Sequence, residues 1–168
     1  MNKYITLFII ALVLGAGYLL MNNTANAPKT STNEEPTLAE SIVTSEDRDL
    51  TQYHAETQGY LASPEGDGPF PAVILIHEWW GLNDNIKDLA DDFADQGYVA
   101  LAVDLYNGAA AQTSEEAGAL AGAVREDTES AFANLTAARE YLATLPTVDS
   151  ERLASVGWCF GGQWAYNM

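Results

Sequence analysis

The chain has 168 residues, with 7 basic and 24 acidic side chains and a formal net charge of −17. That balance argues against a nucleic-acid partner, whose phosphates call for Lys and Arg. One cysteine excludes an internal disulfide, and with only two histidines, His54 and His77, no cluster has the make-up of a zinc site.

Lys3 precedes an uncharged, mostly apolar run from Ile5 to Met21, followed by polar Asn22-Asn23-Thr24. Residues 1–27 read as a signal peptide or membrane anchor in helical form. Ala25-Asn26-Ala27 offers a cleavage site of the A-x-A kind. Pro28 directly after that cut, and a run that reaches the short end of a spanning helix (about 17–25 residues), count against cleavage and leave cleaved signal and uncleaved anchor evenly balanced. Both readings send the protein outward, to the periplasm or the outer face of the cytoplasmic membrane. Residues 28–47, rich in Thr, Ser, Asn and Glu, read as a flexible linker. The folded domain is expected over residues 48–168.

Tyr53-His54-Ala55 and Gly59-Tyr60-Leu61-Ala62 suggest an entering β-hairpin, and Glu65-Gly66-Asp67-Gly68-Pro69 a turn. Ala72–His77 is a continuous apolar run, as expected of a strand buried on both faces. Asn83 or Asp84 then caps a helix whose apolar face is Ile86, Leu89 and Phe93, and Gly97 ends it. Val99–Val103 is a second buried strand. Ser114 to Leu145 is helical in two pieces, with Phe132, Leu135, Ala138, Leu142 and Leu145 on one face. Leu153–Val156 is a third buried strand, and Gln163-Trp164-Ala165-Tyr166 can begin a helix. Alternating strands and helices predict an α/β fold, a mostly parallel sheet flanked by helices. Acidic pairs such as Asp91-Asp92 and Glu115-Glu116 read as solvated helix faces.

Ligands of such sheets bind beyond the carboxyl ends of the strands. Three segments rich in chemistry occupy those ends: His77-Glu78-Trp79-Trp80-Gly81, Asp104-Leu105-Tyr106-Asn107, and Gly157-Trp158-Cys159-Phe160-Gly161. The last is G-x-C-x-G, the thiol form of the nucleophile elbow, in which a strand turns sharply into a helix and holds one side chain above the sheet. Gly157 and Gly161 are expected for steric reasons, because a Cβ beside so tight a turn would collide with it.

The run Pro69–Asn83, the run Gly97–Tyr106 and the Cys159 elbow together resemble the dienelactone hydrolase family of α/β-hydrolases, from about Tyr53 to the last residue. The resemblance implies that Cys159 is the nucleophile, that the backbone N–H groups of Phe160 and Trp79 form the oxyanion hole, and that Glu78 stands beside the thiol. A nearby carboxylate disfavours thiolate at rest, against the pull of the helix dipole. The substrate would be a small ester or lactone, with no cofactor and no metal. Trp80 and Asn107 are substrate-pocket candidates. Asn107 falls where dienelactone-cleaving members place an arginine, which speaks against a carboxylated lactone. His77 reads as a structural histidine and Asp104 as a loop-stabilising carboxylate, because the family's acid and histidine follow the nucleophile in chain order.

No acid or histidine follows Cys159 in this sequence. The expectation is therefore an incomplete α/β-hydrolase, truncated before the triad acid and histidine, with the strand that ends in the elbow left as an open edge. Its alternative is an inactive, membrane-tethered remnant or binding module. A third reading makes Cys159 a redox-sensing thiol.

Overall fold

The computed structural model describes residues 50–168; the segments read above as signal or anchor and as linker lie outside the described residues. The chain runs through β1 (Leu50–His54), β2 (Thr57–Ala62), β3 (Phe70–Ile76), α1 (Asp84–Asp95), β4 (Val99–Val103), α2 (Ser114–Glu126), α3 (Thr128–Thr144), β5 (Val148–Gly157) and α4 (Phe160–Asn167). The strands form one sheet in the order β1-β2-β4-β3-β5. β3 pairs in parallel with β4 and with β5, whereas β2 pairs antiparallel with β1 and with β4. The sheet is thus mixed rather than mostly parallel. The entering hairpin is the cause: it adds through β2 to the outer side of β4, while the strands joined by crossover helices stay parallel.

The continuous apolar runs of β3 and β4 are explained by layers on both faces. Ile74, Ile76, Leu101 and Val103 pack toward α3 and α4, against Leu135, Leu142 and Trp164. Val73, Leu75, Ala100 and Ala102 face the other way, onto Ile86, Ala90 and Ala94 of α1. Alternate residues of one strand therefore bury into two different cores.

Local signals set the helix ends. The Asn83 side chain accepts from the Ile86 N–H and caps α1. Thr113 and Glu116 form a reciprocal capping box on α2, and Asp127 both ends α2 and caps α3 by accepting from the Ser130 N–H. That one acidic residue divides the long helical stretch into its two pieces.

Three further expectations require correction. Leu153–Val156 is not a buried strand: it lies in β5 at the edge of the sheet, with Ala154 exposed and Leu153, Ser155 and Val156 half-buried. Phe132 does not join the buried face of α3 but is 38% exposed, lying edge-to-face on Trp164 at 5.5 Å. The last helix begins at Phe160 rather than at Gln163, because Gly161, lacking a Cβ, lets its first turn sit directly on the end of β3.

Candidate active site

β3 and β5 are adjacent and parallel, with Ile76 opposite Gly157. The residues after each strand therefore emerge side by side at the carboxyl edge. Gly157 ends β5 and Cys159 precedes α4 with φ 53° and ψ −114°. That left-handed backbone is rare for a residue with a side chain. The turn leaves no room beside it. A Cβ on Gly157 would overlap the Gly161 carbonyl group, and one on Gly161 would overlap the Ile76 carbonyl oxygen and lie 2.6 Å from that of His77. The elbow is thus wedged against the end of β3, with the Cys159 side chain exposed.

The loop after β3 is tied down from three sides. Tyr106 Oη donates to the Trp79 carbonyl at 3.2 Å, and the Ala111 N–H donates to the Trp80 carbonyl at 3.0 Å. The imidazole of His77, fully buried, accepts the Leu105 N–H at Nε2 (3.1 Å) and meets the Glu78 carbonyl at Nδ1 (2.5 Å). Burial pushes its pKa below the ordinary 6.5, with the Glu78 hydrogen bond and the Asp104 charge opposing. Both ring nitrogens are engaged, so His77 is a structural histidine and not a free base.

Asp104 is also fully used. One carboxylate oxygen accepts the Tyr106 N–H at 2.7 Å and the other accepts the Gly108 N–H. Its backbone carbonyl accepts from Asn134 Nδ2 at 3.0 Å. The Tyr53 hydroxyl accepts the Asp104 N–H at 3.1 Å and donates to Asn134 Oδ1 at 2.7 Å. Burial pushes the Tyr53 phenol well above its usual range, with the hydrogen bonds to Asp104 and Asn134 opposing and the Asp104 charge reinforcing.

Around the elbow stands an aromatic group. Phe160 stacks on His77 at 5.8 Å, leans on Tyr106 at 5.6 Å and meets Trp164 edge-on at 6.1 Å. The Arg125 guanidinium lies 5.3 Å from the Phe160 ring centre, and its Nε donates to Gln163 Oε1 at 3.3 Å. Burial pushes the Tyr106 phenol up to about 12; Arg125 opposes this and the neighbouring Asp104 and Cys159 reinforce it. Sequence reasoning did not find Arg125. It reaches Phe160 and Gln163 from the last turn of α2, 35 or more residues away in the chain, which leaves no local pattern.

Glu78 and Trp79 follow directly on His77, both half-buried. Trp80 is half-buried too and lies edge-to-face with Trp79 at 5.2 Å. The N–H groups of Trp79 and Phe160 have no partner among the described residues; that of Phe160 is one of the donors a helix start leaves open. Asn107 points elsewhere: its Oδ1 accepts the Thr57 hydroxyl at 2.8 Å. It lines a cavity of about 540 Å³ with Tyr106, Leu120, Val124 and Ser130, to which Cys159, Glu78 and Trp79 do not contribute. His54, the last residue of β1, lines the same cavity.

The family model for the dienelactone hydrolase family matches residues 57–168. Among similar proteins are a carboxymethylenebutenolidase-like protein of Synechocystis sp., 39% identical over 70% of this chain and 50% of its own length, and protein usf of Aquifex pyrophilus, 36% identical over 64% and 47%. The chain spans about half the length of the curated relatives it matches. Among solved structures, m3DLH superposes with a TM-score of 0.65 at 32% identity, covering 71% of this chain and 52% of that one. A dienelactone hydrolase-like promiscuous phosphotriesterase from metagenomic libraries gives 0.64 at 28%, covering 70% and 51%. The matched span and these superpositions agree, and this chain belongs to the dienelactone hydrolase family.

Proposed function

We propose that the complete protein hydrolyses a small carboxylic ester or lactone through the Cys159 thiol. The observation that carries this reading is the backbone of Cys159. A left-handed residue is held between glycines that have no room for a Cβ, at the start of a helix and with its side chain exposed. A merely structural cysteine needs none of that strain.

In the reaction, Sγ forms a bond to the substrate carbonyl carbon while the thiol proton passes to a base and then to the leaving alkoxide. The C–O bond breaks and leaves a thioester on Cys159. Water then cleaves the thioester, releasing the carboxylic acid and restoring the thiol. The open N–H groups of Phe160 and Trp79 bind the oxyanion of each tetrahedral intermediate. A donor of this kind typically contributes about 2.7–4 kcal/mol to transition-state stabilisation. Glu78, between His77 and Trp79, is the carboxylate that the family resemblance sets beside the thiol. His77 is not the base, since both of its ring nitrogens are engaged within the loops; by the chain order of the fold family that role belongs to a histidine after the nucleophile. The apolar run Ile5–Met21 supports an exported protein, released or held at the membrane; fractionation of cells producing it tests this.

Cys159→Ala in the complete protein abolishes hydrolysis of a chromogenic ester; turnover that survives it refutes the assignment. The engagement of both His77 nitrogens favours a second reading for the 168-residue polypeptide alone, that of a binding module without catalysis. Saturable, Cys159-dependent esterase activity from that purified chain excludes it.

A further inference from the structure

The Trp79 N–H belongs to the same peptide unit as the Glu78 carbonyl, and that carbonyl meets His77 Nδ1 at 2.5 Å and, at the longer distance of 3.3 Å, accepts the Gly81 N–H. The tautomer follows from the partners. The Leu105 N–H can only donate, so Nε2 is unprotonated and Nδ1 carries the hydrogen that the Glu78 carbonyl accepts. The hydrogen bonds thus run head to tail, from Leu105 N–H through the imidazole to the Glu78 carbonyl. From the same peptide they continue outward to a Trp79 N–H that no described residue uses. Each bond in such a series polarises the next, by roughly 10–30%.

We propose that His77 is a positioning residue of the oxyanion hole, orienting and polarising the Glu78–Trp79 peptide so that its N–H meets the developing oxyanion. The inference rests on the reading of Cys159 as nucleophile. It explains why a polar ring ends a strand whose preceding residues, Ala72 to Ile76, are all apolar and buried. Burying an imidazole is costly unless both nitrogens are used, and here both are spent on the loop that carries the donor. The ring itself is fixed from two sides, by Tyr106 at 4.6 Å and 64° and by Phe160 at 5.8 Å and 16°. Phe160 carries the second open N–H, so one imidazole serves as the reference for both donors. Tyr106 completes the arrangement by holding the next peptide through the Trp79 carbonyl.

Two substitutions separate this role from simple packing. Asparagine offers an N–H near the place of Nδ1, whereas glutamine reaches only the place of Nε2. In the complete protein, His77→Gln lowers kcat by roughly 10- to 100-fold at nearly constant KM, somewhat less than the 10²–10³ for outright loss of a donor. His77→Asn retains most of kcat. In an amide correlation spectrum, the Trp79 proton moves upfield in His77→Gln and stays near its wild-type position in His77→Asn. Equal kcat losses in both variants, or an unmoved Trp79 amide in His77→Gln, overturn the proposal. The wild-type protein supplies a check that needs no variant: ring nitrogen shifts must show the Nδ1–H tautomer, and the Nε2–H form overturns the proposal outright. Hydrolysis that survives Cys159→Ala sinks the nucleophile reading instead, and the tautomer and the Trp79 amide then decide alone whether His77 sets this peptide.

Discussion

Substituting Gly161 tests whether the elbow is wedged against β3 as tightly as the geometry states. A Cβ there would overlap the Ile76 carbonyl oxygen and stand 2.6 Å from the His77 oxygen, where ordinary contact begins at 3.4 Å. Both obstacles are backbone, so no side chain can swing aside. Relief requires α4 to move off β3 by on the order of 1 Å, which places Gly161→Ala at or above the top of the usual overpacking cost of about 1–3 kcal/mol. At about 2–4 °C of melting temperature per kcal/mol for a chain of this size, the loss is about 6–12 °C. Gly122 is the matched control, because it lies inside α2 and a Cβ there meets nothing within 4 Å. Gly122→Ala stabilises by about 0.5–1 kcal/mol, since alanine is the better helix former. Thermal unfolding followed by far-ultraviolet circular dichroism reads both. If Gly161→Ala melts within about 2 °C of wild type, or if the two variants shift the same way, the steric account of the elbow is wrong.

Three further outcomes follow from the same geometry. Cys159→Gly relieves the φ of 53° that Cys159→Ala keeps, so it is the more stable of the two by about 1 kcal/mol in chemical denaturation; the reverse order contradicts strain at the elbow. Asp104→Asn leaves one of the Tyr106 and Gly108 N–H groups facing an NH₂ instead of an oxygen. It costs about 1–3 kcal/mol, and an unchanged denaturation midpoint rules out the loop-stabilising role. His77 is neutral in the fold, with its pKa held below the 6.5 of the free group by burial. The unfolded chain therefore binds a proton that the folded state refuses. Stability is full above about pH 6.5 and falls as pH drops below it, by at most about 1.4 kcal/mol per pH unit for this one group. His77→Asn removes that component, and identical pH profiles for the two proteins refute it.

Much of the fold was legible because its signals are local. Ala72–Ile76 and Val99–Val103 are too apolar for anything but strands buried on both faces, and Asn83 and Gly97 mark the ends of α1. What was misjudged depends on distant packing. Along the chain the last helix reads as beginning at Gln163, yet α4 begins at Phe160, since only glycine at 161 lets that turn rest on the Ile76 and His77 carbonyls. Phe132 sits at a core spacing but meets Trp164 at the edge of the α3–α4 contact and stays partly exposed. In the site, the Cys159 motif was visible because a strained turn imposes its own flanking residues. The ring partners of Phe160 were not, since His77, Tyr106 and Arg125 reach it from three separate elements. The tautomer of His77 was equally hidden. It depends on the Leu105 N–H, which arrives from the neighbouring strand's end.

The central claim is that Cys159 carries the acyl group during turnover. Rapid acid quenching of the complete protein with an activated ester, followed by peptide mass mapping, tests it directly. The account predicts the acyl mass on the peptide containing Cys159 and its absence from Cys159→Ala, together with loss of turnover. Turnover without an adduct on Cys159, or an adduct on another residue that tracks the rate, contradicts it.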